Sequence, residues 1–552
     1  MSRSRRLPPR RFLWPLALAA VWLLFAYLVA PFLIAGLYHG ALTIDHDDLA
    51  AEIAESRAEA PLAVHLGEWR WFALWPAVAA VAWCLFAIAF ADPGRRRRLL
   101  GATPTSLAGL RIAVCGTALL VVAREHLPSL ADLPAALAGE MGLFELVRWM
   151  PGSERLMAGA AGLGVLQGAT VLLLGLALVG WRTRWTLPAA ALAYFVVGGA
   201  LRSYSRFFHA GLTPLYLLVV LAFAPCGDAM SLDRRRRLRR GEPVPEAERP
   251  RAIDATSRFA VWTVMALVYF ESGLSKLRAG GLLWWHPDNL RTIVYRDSLA
   301  PMAFDFDLGL AAAAAPDLVF AAAGLAALAV ELFYPAVLFS SRARIGLPAA
   351  AAGLHVGILF VQNVAFFDLV LLQALFYDWR RWLPAALRSR RQVATVTVPD
   401  GDPTGWARRI AVVFLVAWAF RLELYPLSAM QMYADRETSG EVEYLRVTAE
   451  RRSGRETPAP LEEAIPALAD SRYRWLLDDF LEGSRRERRL GAGYLAAAAR
   501  AYNRRVPEEV EIVAFEVEKY RWNFVASPQQ AVEPIPGERL TGRRVEVGVG
   551  ER

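Results

Sequence analysis

The sequence is almost without lysine and has few cysteines. Only two of its 62 basic residues are lysines, Lys276 and Lys519, so arginine supplies nearly all of the positive charge. The three cysteines, Cys84, Cys115 and Cys226, lie in or beside apolar segments and show no CxxC spacing. Neither a disulfide framework nor a zinc site is therefore expected, and no metal site of another kind is predicted.

Apolar and charged residues are segregated along the chain. Fifty-five per cent of the residues are apolar and 21% are charged, which is too much charge for a protein that lies wholly in a membrane. Apolar runs such as PLALAAVWLLFAYLVAPFLIAG are nevertheless long enough to cross a hydrocarbon core, which takes about 20 residues. The first run is longer than the apolar region of a signal peptide, so it is interpreted as an uncleaved anchor. We predict an α-helical polytopic membrane bundle.

The hydropathy pattern predicts about eleven transmembrane helices. They are expected at residues 12–38, 69–91, 105–123, 157–181, 185–201, 210–225, 258–277, 317–340, 345–362, 364–379 and 409–425.

Short arginine-rich segments follow alternate predicted spans. They lie at the amino terminus and at residues 94–98, 181–185, 233–240, 341–344 and 380–391. Because such loops stay in the cytoplasm, we predict a cytoplasmic N-terminus and an extracytoplasmic C-terminus. This pattern also explains the net charge of +9 without nucleic acid as a partner. The preference for arginine favours a GC-rich bacterial genome, and hence a bacterial inner (plasma) membrane.

Four regions follow from these patterns. Residues 1–102 form an N-terminal extension with two spans, 103–385 form the main membrane domain, and 386–425 hold a basic loop and the last span. Residues 426–552 are expected to form a small extracytoplasmic α+β domain. Within it, RRERRLGAGYLAAAARAYNRR predicts an amphipathic helix, EEVEIVAFEVEKYRW predicts a strand, and 448–460 predicts an exposed loop.

Three ionisable residues are expected to approach the outer leaflet from different helices. His209 opens the sixth predicted span, Lys276 closes the seventh, and His355 lies in the outer half of the ninth. Removing an ammonium from water favours the neutral amine, which can act as a base, whereas a guanidinium stays protonated. Lys276 is thus a candidate base. The alternatives are a lysine whose stem snorkels to the interface and two histidines with structural roles.

Other polar residues within the spans are interpreted as structural. Arg111 is expected to bridge to an acid or to backbone carbonyls, and Glu331 lies within the eighth span. Glu271 is five residues from Lys276, about 140° around the helix, so it is expected to have a different partner. The segment WWHPDNLRTIVY after Lys276 is typical of an interfacial amphipathic helix, although it could also roof a pocket.

Several segments occur in an order that resembles a known membrane domain. They are TSLAGLRIAVCG, HAGLTPLYLLVVLAFAPCGDAMSLDRR, YFESGLSKL, the acidic span with Glu331, and GLHVGILFVQNVAFFDL. In this order, over residues 103–385, they resemble the HTTM domain that is shared with vitamin K-dependent γ-glutamyl carboxylase.

The resemblance implies a function for the ionisable residues. It implies that Lys276 deprotonates a reduced quinone (vitamin K hydroquinone or menaquinol), which reacts with O2 and yields a strong base. That base removes a γ-proton from glutamate in a peptide or protein, and CO2 then adds to the carbanion. His209 is similar in position to the histidine that hydrogen-bonds the developing oxyanion, and His355 to a second membrane histidine. The chain has Ser275 before Lys276 where the carboxylase has two adjacent lysines.

Two further functions stay open from the sequence. One is a non-enzymatic HTTM membrane scaffold or lipid- or quinone-binding protein. The other, a transporter, predicts inverted repeats with broken helices near the membrane midplane, and no internal repeat is apparent in the sequence.

Overall fold

The computed structural model describes most of the chain. It covers residues 14–39, 61–89, 101–153, 157, 159–205, 208–300, 304, 306, 308–312, 315–377, 404–528 and 537–547. The predicted basic segments at the amino terminus, at 94–98 and at 380–391 lie outside the described residues, as does the loop 386–403.

The described part of the chain is mainly helical. Its helices are α1 (Trp14–Leu28), α2 (Ala30–Tyr38), α3 (Leu62–Ala89), α4 (Pro104–Arg124), α5 (Ala160–Val179), α6 (Thr183–Ser203), α7 (Leu212–Ala222), α8 (Leu232–Arg239), α9 (Ala252–Gly280), α10 (Pro287–Ser298), α11 (Asp317–Phe333), α12 (Ala343–Gln362), α13 (Phe367–Leu372), α14 (Gly405–Ala419), α15 (Arg474–Glu482) and α16 (Arg485–Asn503). Single helical turns lie at Glu145–Arg148, Leu308–Ala311 and Leu461–Ala464.

Seven helical segments among the described residues are long and apolar enough to cross a membrane. They are Trp14–Tyr38, Leu62–Ile88, Pro104–Asp132, Ala160–Val179, Thr183–Ser203, Asp317–Leu338 and Ala343–Gln362. The prediction of a helical membrane protein is therefore confirmed, and seven of the eleven predicted spans coincide with these candidate spans. Two of the other predicted spans coincide with shorter apolar helices, Leu212–Ala222 and Phe367–Phe376. The predicted span 409–425 is too long at its end, because α14 stops at Ala419.

Helix α9 is the centre of the bundle. It packs against α4, α7, α11 and α14, and 21 of its 29 residues are buried. The predicted span 258–277 lies inside it, but α9 also carries Arg258, Glu271, Lys276 and Arg278. Because of these charges α9 is not among the seven apolar helices. Its position is set by contacts with other helices rather than by contact with lipid.

The C-terminal region forms the predicted α+β fold. Four antiparallel strands, β1 (Glu441–Arg451), β2 (Glu456–Pro458), β3 (Ile512–Asn523) and β4 (Glu538–Glu546), pair in the order β2-β1-β3-β4. The predicted amphipathic helix is α16, which begins with a capping box between Ser484 and Glu487. The predicted loop 448–460 is wrong: β1 and β2 form a hairpin there, because the alternating side chains of β1 extend to Arg451.

One buried ion pair fastens this domain to the membrane bundle. Both guanidinium Nη atoms of Arg472 bond the carboxylate of Glu125, just beyond α4, at 2.8 and 2.9 Å. Both side chains are only 14% exposed. Although burial lowers the pKa of Arg472, the charge of Glu125 outweighs this effect and raises the pKa above its ordinary value. The same surface holds a far more exposed pair, Arg504 with Asp132.

Replacing Arg472 is expected to loosen the docked domain. Arg472→Gln leaves the Glu125 carboxylate buried and unpaired, so we expect a loss of about 3 kcal/mol in the free energy of unfolding. Arg504→Gln, whose side chain is 61% exposed, should cost less than about 1 kcal/mol. Thermal unfolding and limited proteolysis of the C-terminal domain measure both. Equal effects of the two substitutions would contradict this assignment.

The end of α5 is fixed by a glycine and by Arg111. Gly180 has a φ of +74°, a left-handed conformation that suits glycine after a helix. A Cβ on it would lie 2.4 Å from Cβ of Ser231 and 2.8 Å from Nη1 of Arg111. The Arg111 guanidinium donates to the carbonyls of Cys226 and Met230 at 2.5 and 2.6 Å. Arg111 thus bridges backbone carbonyls, one of the two partner types that the sequence left open.

Gly180→Ala is therefore expected to destabilise the bundle by about 2 kcal/mol or more, since it adds backbone strain to overpacking. Gly175→Ala is the matched control in the same helix, because a Cβ there meets no heavy atom within 4 Å. Thermal unfolding in detergent should show a lower melting temperature only for Gly180→Ala. A normal melting temperature for that variant would show that the packing between α5 and Arg111 is looser than described.

Candidate functional site

A polar stripe runs along one face of α9. Tyr269, Ser272 and Lys276 are spaced at i, i+3 and i+7, which places them on the same side of a helix. All three are buried. The neighbouring helices α11 and α12 supply Glu331 and His355 to this face.

Lys276 is held by three acceptors. Its Nζ lies 2.8 Å from Oε1 of Glu331, 2.8 Å from Oγ of Ser272 and 3.1 Å from the carbonyl oxygen of Met432. The side chains of Lys276 and Glu331 are only 5% and 11% exposed. An ammonium has three N–H donors, so all of them are used. Glu331, interpreted from the sequence as merely structural, is thus the ion-pair partner of Lys276.

Glu331 keeps one oxygen without a partner. Its Oε1 also accepts a hydrogen bond from Ser272 at 3.2 Å, whereas its Oε2 is buried and has no hydrogen-bond partner among the described residues. Glu331 lies two residues before the end of α11 and Lys276 four residues before the end of α9, but neighbouring segments cover both side chains. Lys276 is therefore not a lysine that snorkels to the membrane surface.

Two segments cover Lys276. The ring centroid of Trp284 lies 5.3 Å from Nζ, and its indole N–H donates to the carbonyl of Tyr433. Tyr433 and Met432 belong to the connector, residues 420–440, which links α14 to β1. The sequence left two roles open for the tryptophan-rich segment, an interfacial helix and a cover over a pocket. Trp284 covers the lysine.

Ser275 fastens the connector and does not belong to the lysine site. Its hydroxyl donates to the carbonyl of Ala429 at 2.9 Å and accepts from the indole N–H of Trp418 at 3.0 Å. The residue before Lys276 thus points toward α14 and the connector, not toward Glu331. A second lysine at position 275 would therefore meet a different environment from that of Lys276.

His355 lies in a hydrogen-bonded chain next to the lysine. Its Nε2 is 2.9 Å from the hydroxyl of Tyr269, which accepts from Nε2 of Gln373 at 2.7 Å. Tyr334 donates to the amide oxygen of Gln373. One proton is shared between the Tyr269 hydroxyl and His355 Nε2, and Nδ1 of His355 is buried without a hydrogen-bond partner among the described residues.

His209 belongs to a neighbouring environment. Its Nε2 is 3.7 Å from Oε1 of Glu423 in the connector. With Asp368 and Met432 it lines a cavity of about 10 Å³ that neither Lys276 nor His355 lines. Met432 contacts both sides, because its carbonyl accepts from Lys276. Lys276 and His355 thus both contact the polar face of α9, Lys276 through Ser272 and His355 through Tyr269, whereas His209 contacts Glu423 of the connector.

Glu271 differs from Asp254, the other acid of α9, which pairs with Arg251. It is completely buried, and neither carboxylate oxygen has a hydrogen-bond partner among the described residues. The different partner that the sequence predicts for Glu271 is not among these residues. Arg278, about two turns beyond Glu271, donates to the carbonyls of Trp418 and Ala419 instead.

The sequence missed the residues that complete the site. Tyr269 and Ser272 could have been found from their helical spacing to Lys276. Tyr334 and Gln373 carry no such signal, because they come from segments that are far from Lys276 in the sequence. The described residues contain no group of three or more histidine, cysteine or acidic side chains that could hold a metal ion.

These features define an integral membrane protein with a buried lysine–glutamate pair at its core and a small α+β domain attached. Comparisons of the chain with protein-family models, with curated proteins and with solved structures found no match in any of the three.

Proposed function

We propose that the chain is a membrane enzyme of the vitamin K-dependent γ-carboxylase type, with the Lys276–Glu331 pair as its proton-handling centre. The observation that carries this proposal is the 2.8 Å contact between an amine and a carboxylate that are both buried in the bundle. A charged residue in a membrane helix is costly and usually functional. A protein that needed only a cation here could have used arginine, as it does elsewhere.

The pair can convert the ammonium into a base. Transfer of one proton from Nζ of Lys276 to the carboxylate of Glu331 leaves a neutral amine beside a neutral acid, and this removes two charges from a low-dielectric site. Ser272 can hold both groups through the transfer, because it accepts from Lys276 and donates to Glu331. The neutral amine could then take a proton from an acidic hydroxyl group.

A reduced quinone suits this site in its chemistry, but Lys276 is covered in the described structure. An amine base with a histidine nearby suits the deprotonation of a hydroquinone, which would supply the reducing power. Met432 and Trp284 lie against Nζ of Lys276, and the cavity on the His209 side, which Lys276 does not line, is only about 10 Å³, room for about one water. The proposal therefore requires the connector to lift from α9 before a reduced vitamin K or menaquinol can reach Lys276.

The finer topology belongs to the same proposal. We infer that α7, α9, the Phe367–Phe376 segment and α14 cross the membrane with the seven apolar helices, which gives eleven crossings. The arginines around α8 and at the ends of α5 and α12 support a cytoplasmic location for that side. The N-terminus is then cytoplasmic, and the C-terminal domain is extracytoplasmic, in a bacterial plasma membrane, where it could present a glutamate-containing peptide.

A second candidate function is a non-enzymatic membrane scaffold that binds a quinone or lipid. The observation that favours it is the complete use of the Lys276 donors by Ser272, Glu331 and Met432. A purely structural ion pair would also have all three N–H donors of the lysine engaged and the ammonium covered.

Assays of the purified wild-type protein in lipid nanodiscs distinguish the two functions. The samples receive reduced menaquinone, O2, labelled bicarbonate and glutamate-containing peptides, and both quinone epoxide and peptide-bound label are measured. The enzyme proposal expects both products. If a protein that unfolds cooperatively gives neither, the enzyme proposal fails, and quenching of tryptophan fluorescence by menaquinone then tests the second function.

A further inference from the structure

Six arginines line a large pocket at the end of the bundle opposite to Lys276. The pocket has a volume of about 950 Å³ and lies between the start of α6, the end of α7, α8 and the start of α9. Three acids also line it, which leaves an excess of three positive charges. Its arginines are Arg182, Arg184, Arg236, Arg237, Arg240 and Arg251.

The three acids of the pocket are already engaged. Asp233 caps α6, because its carboxylate accepts from the backbone N–H groups of Arg182 and Thr183 at 2.6 and 2.7 Å. Asp228 pairs with Arg237 at 3.1 Å and with Arg251 at 2.6 Å. Glu242 lies at the longer distances of 3.9 and 3.7 Å from Arg237 and Arg240.

Two of the arginines are left for a ligand. Arg182, Arg184 and Arg236 form no ion pair with any described residue of the chain, and all three are exposed. The guanidinium of Arg182 lies over the ring of Trp181 at 5.2 Å, which leaves Arg184 and Arg236. A guanidinium is well suited to a phosphate group, because its planar fork can donate two hydrogen bonds. The pocket thus has the charge and the free donors for an anionic phosphate.

An apolar crevice continues from this pocket along the bundle. It has a volume of about 570 Å³ and lies between α6, α7 and α14. Ala222 and Phe223 line both the crevice and the arginine pocket. Its walls include Leu192, Val219 and Val413, which are large apolar side chains that the bundle leaves exposed.

We propose that the arginine pocket and the crevice together bind one anionic phospholipid. Its phosphate group occupies the pocket near Arg184 and Arg236, and an acyl chain lies in the crevice below Phe223. The continuity of the two cavities favours a lipid over a free phosphate, because a soluble anion would leave the apolar part empty. Basic pockets between transmembrane helices are recognised sites for anionic head groups. This site is independent of any chemistry at Lys276.

Native mass spectrometry of the full chain in detergent tests this proposal. The protein is titrated with phosphatidylglycerol and with phosphatidylcholine of the same acyl chains. We expect the anionic lipid to bind at least about tenfold more tightly, and Arg184→Gln/Arg236→Gln to reduce its affinity by about tenfold or more. The control Arg235→Gln/Arg239→Gln removes the same charge from exposed positions on α8 that do not line the pocket.

The other outcomes contradict the proposal. Equal binding of the two lipids shows that the arginines do not select a phosphate with net negative charge. An equal loss in the control variant shows that only the overall charge matters. If glycerophosphoglycerol, the head group without acyl chains, protects the protein from thermal unfolding as strongly as the lipid does, the site binds a soluble phosphate and the crevice has no part in it.

Discussion

Lys276→Arg is expected to lower the rates of quinol epoxidation and of peptide carboxylation by about 100-fold or more. General base catalysis is worth about 10²- to 10⁴-fold in rate, and a guanidinium cannot provide a neutral base. An arginine can still pair with Glu331, so the charge balance of the core is kept. The initial rates of both products in nanodiscs measure the effect.

Lys519→Arg is the matched control, since it replaces the only other lysine of the chain. Lys519 lies on β3 in the C-terminal domain, where burial lowers the pKa of its ammonium but hydrogen bonds to Glu482 and Glu443 outweigh this effect and raise the pKa. Its function there is that of a permanent cation, which arginine preserves. A Lys276→Arg variant as active as Lys519→Arg would show that Lys276 is not the base.

Glu331→Leu is expected to destabilise the protein by about 3 to 5 kcal/mol, because it leaves the Lys276 ammonium buried without its counter-ion. Lys276→Met/Glu331→Leu should recover most of that loss, since neither charge is then left in the core. Reversible unfolding of the two single variants, the double variant and the wild type gives the coupling energy between the two residues.

Glu271→Leu provides the control for the effect of removing a buried acid. Glu271 is on the same helix as Lys276 and is fully buried, but its carboxylate has no partner among the described residues. Its replacement by leucine should leave the stability unchanged or raise it. If Glu271→Leu is as harmful as Glu331→Leu, or if the double variant is no better than Glu331→Leu, the ion pair does not carry the energy assigned to it.

Local patterns allowed much of the fold to be predicted. Hydropathy located the seven apolar spans, and period-two alternation located β3, because both depend on residues that are near one another in the sequence. Helix α9 is a case in which hydropathy is not sufficient. Its charged residues face other helices rather than lipid, so its membrane crossing cannot be judged from hydropathy. The sequence did not predict the hairpin of β1 and β2, because its polar and charged residues are typical of a loop.

The candidate site was predictable only in part. Lys276 could be selected because the chain otherwise avoids lysine, and His355 because a histidine in a span is costly. The pairing of Lys276 with Glu331 joins residues 55 positions apart, and no local pattern reports such a contact. The sequence predicted that His209 would lie at the same site because its helix begins on the same side of the membrane as Lys276. The structure places Met432 of the connector between the surroundings of His209 and those of Lys276.

Infrared difference spectroscopy of the buried carboxyl groups tests the central claim most directly, namely that Glu331 takes a proton from Lys276. Spectra of the purified wild-type protein are compared before and after reduced menaquinone is added. We predict a new band of a protonated carboxyl group that is lost in Glu331→Gln and kept in Glu271→Gln. No change on addition of the quinol, or a band that persists in Glu331→Gln, would contradict the account.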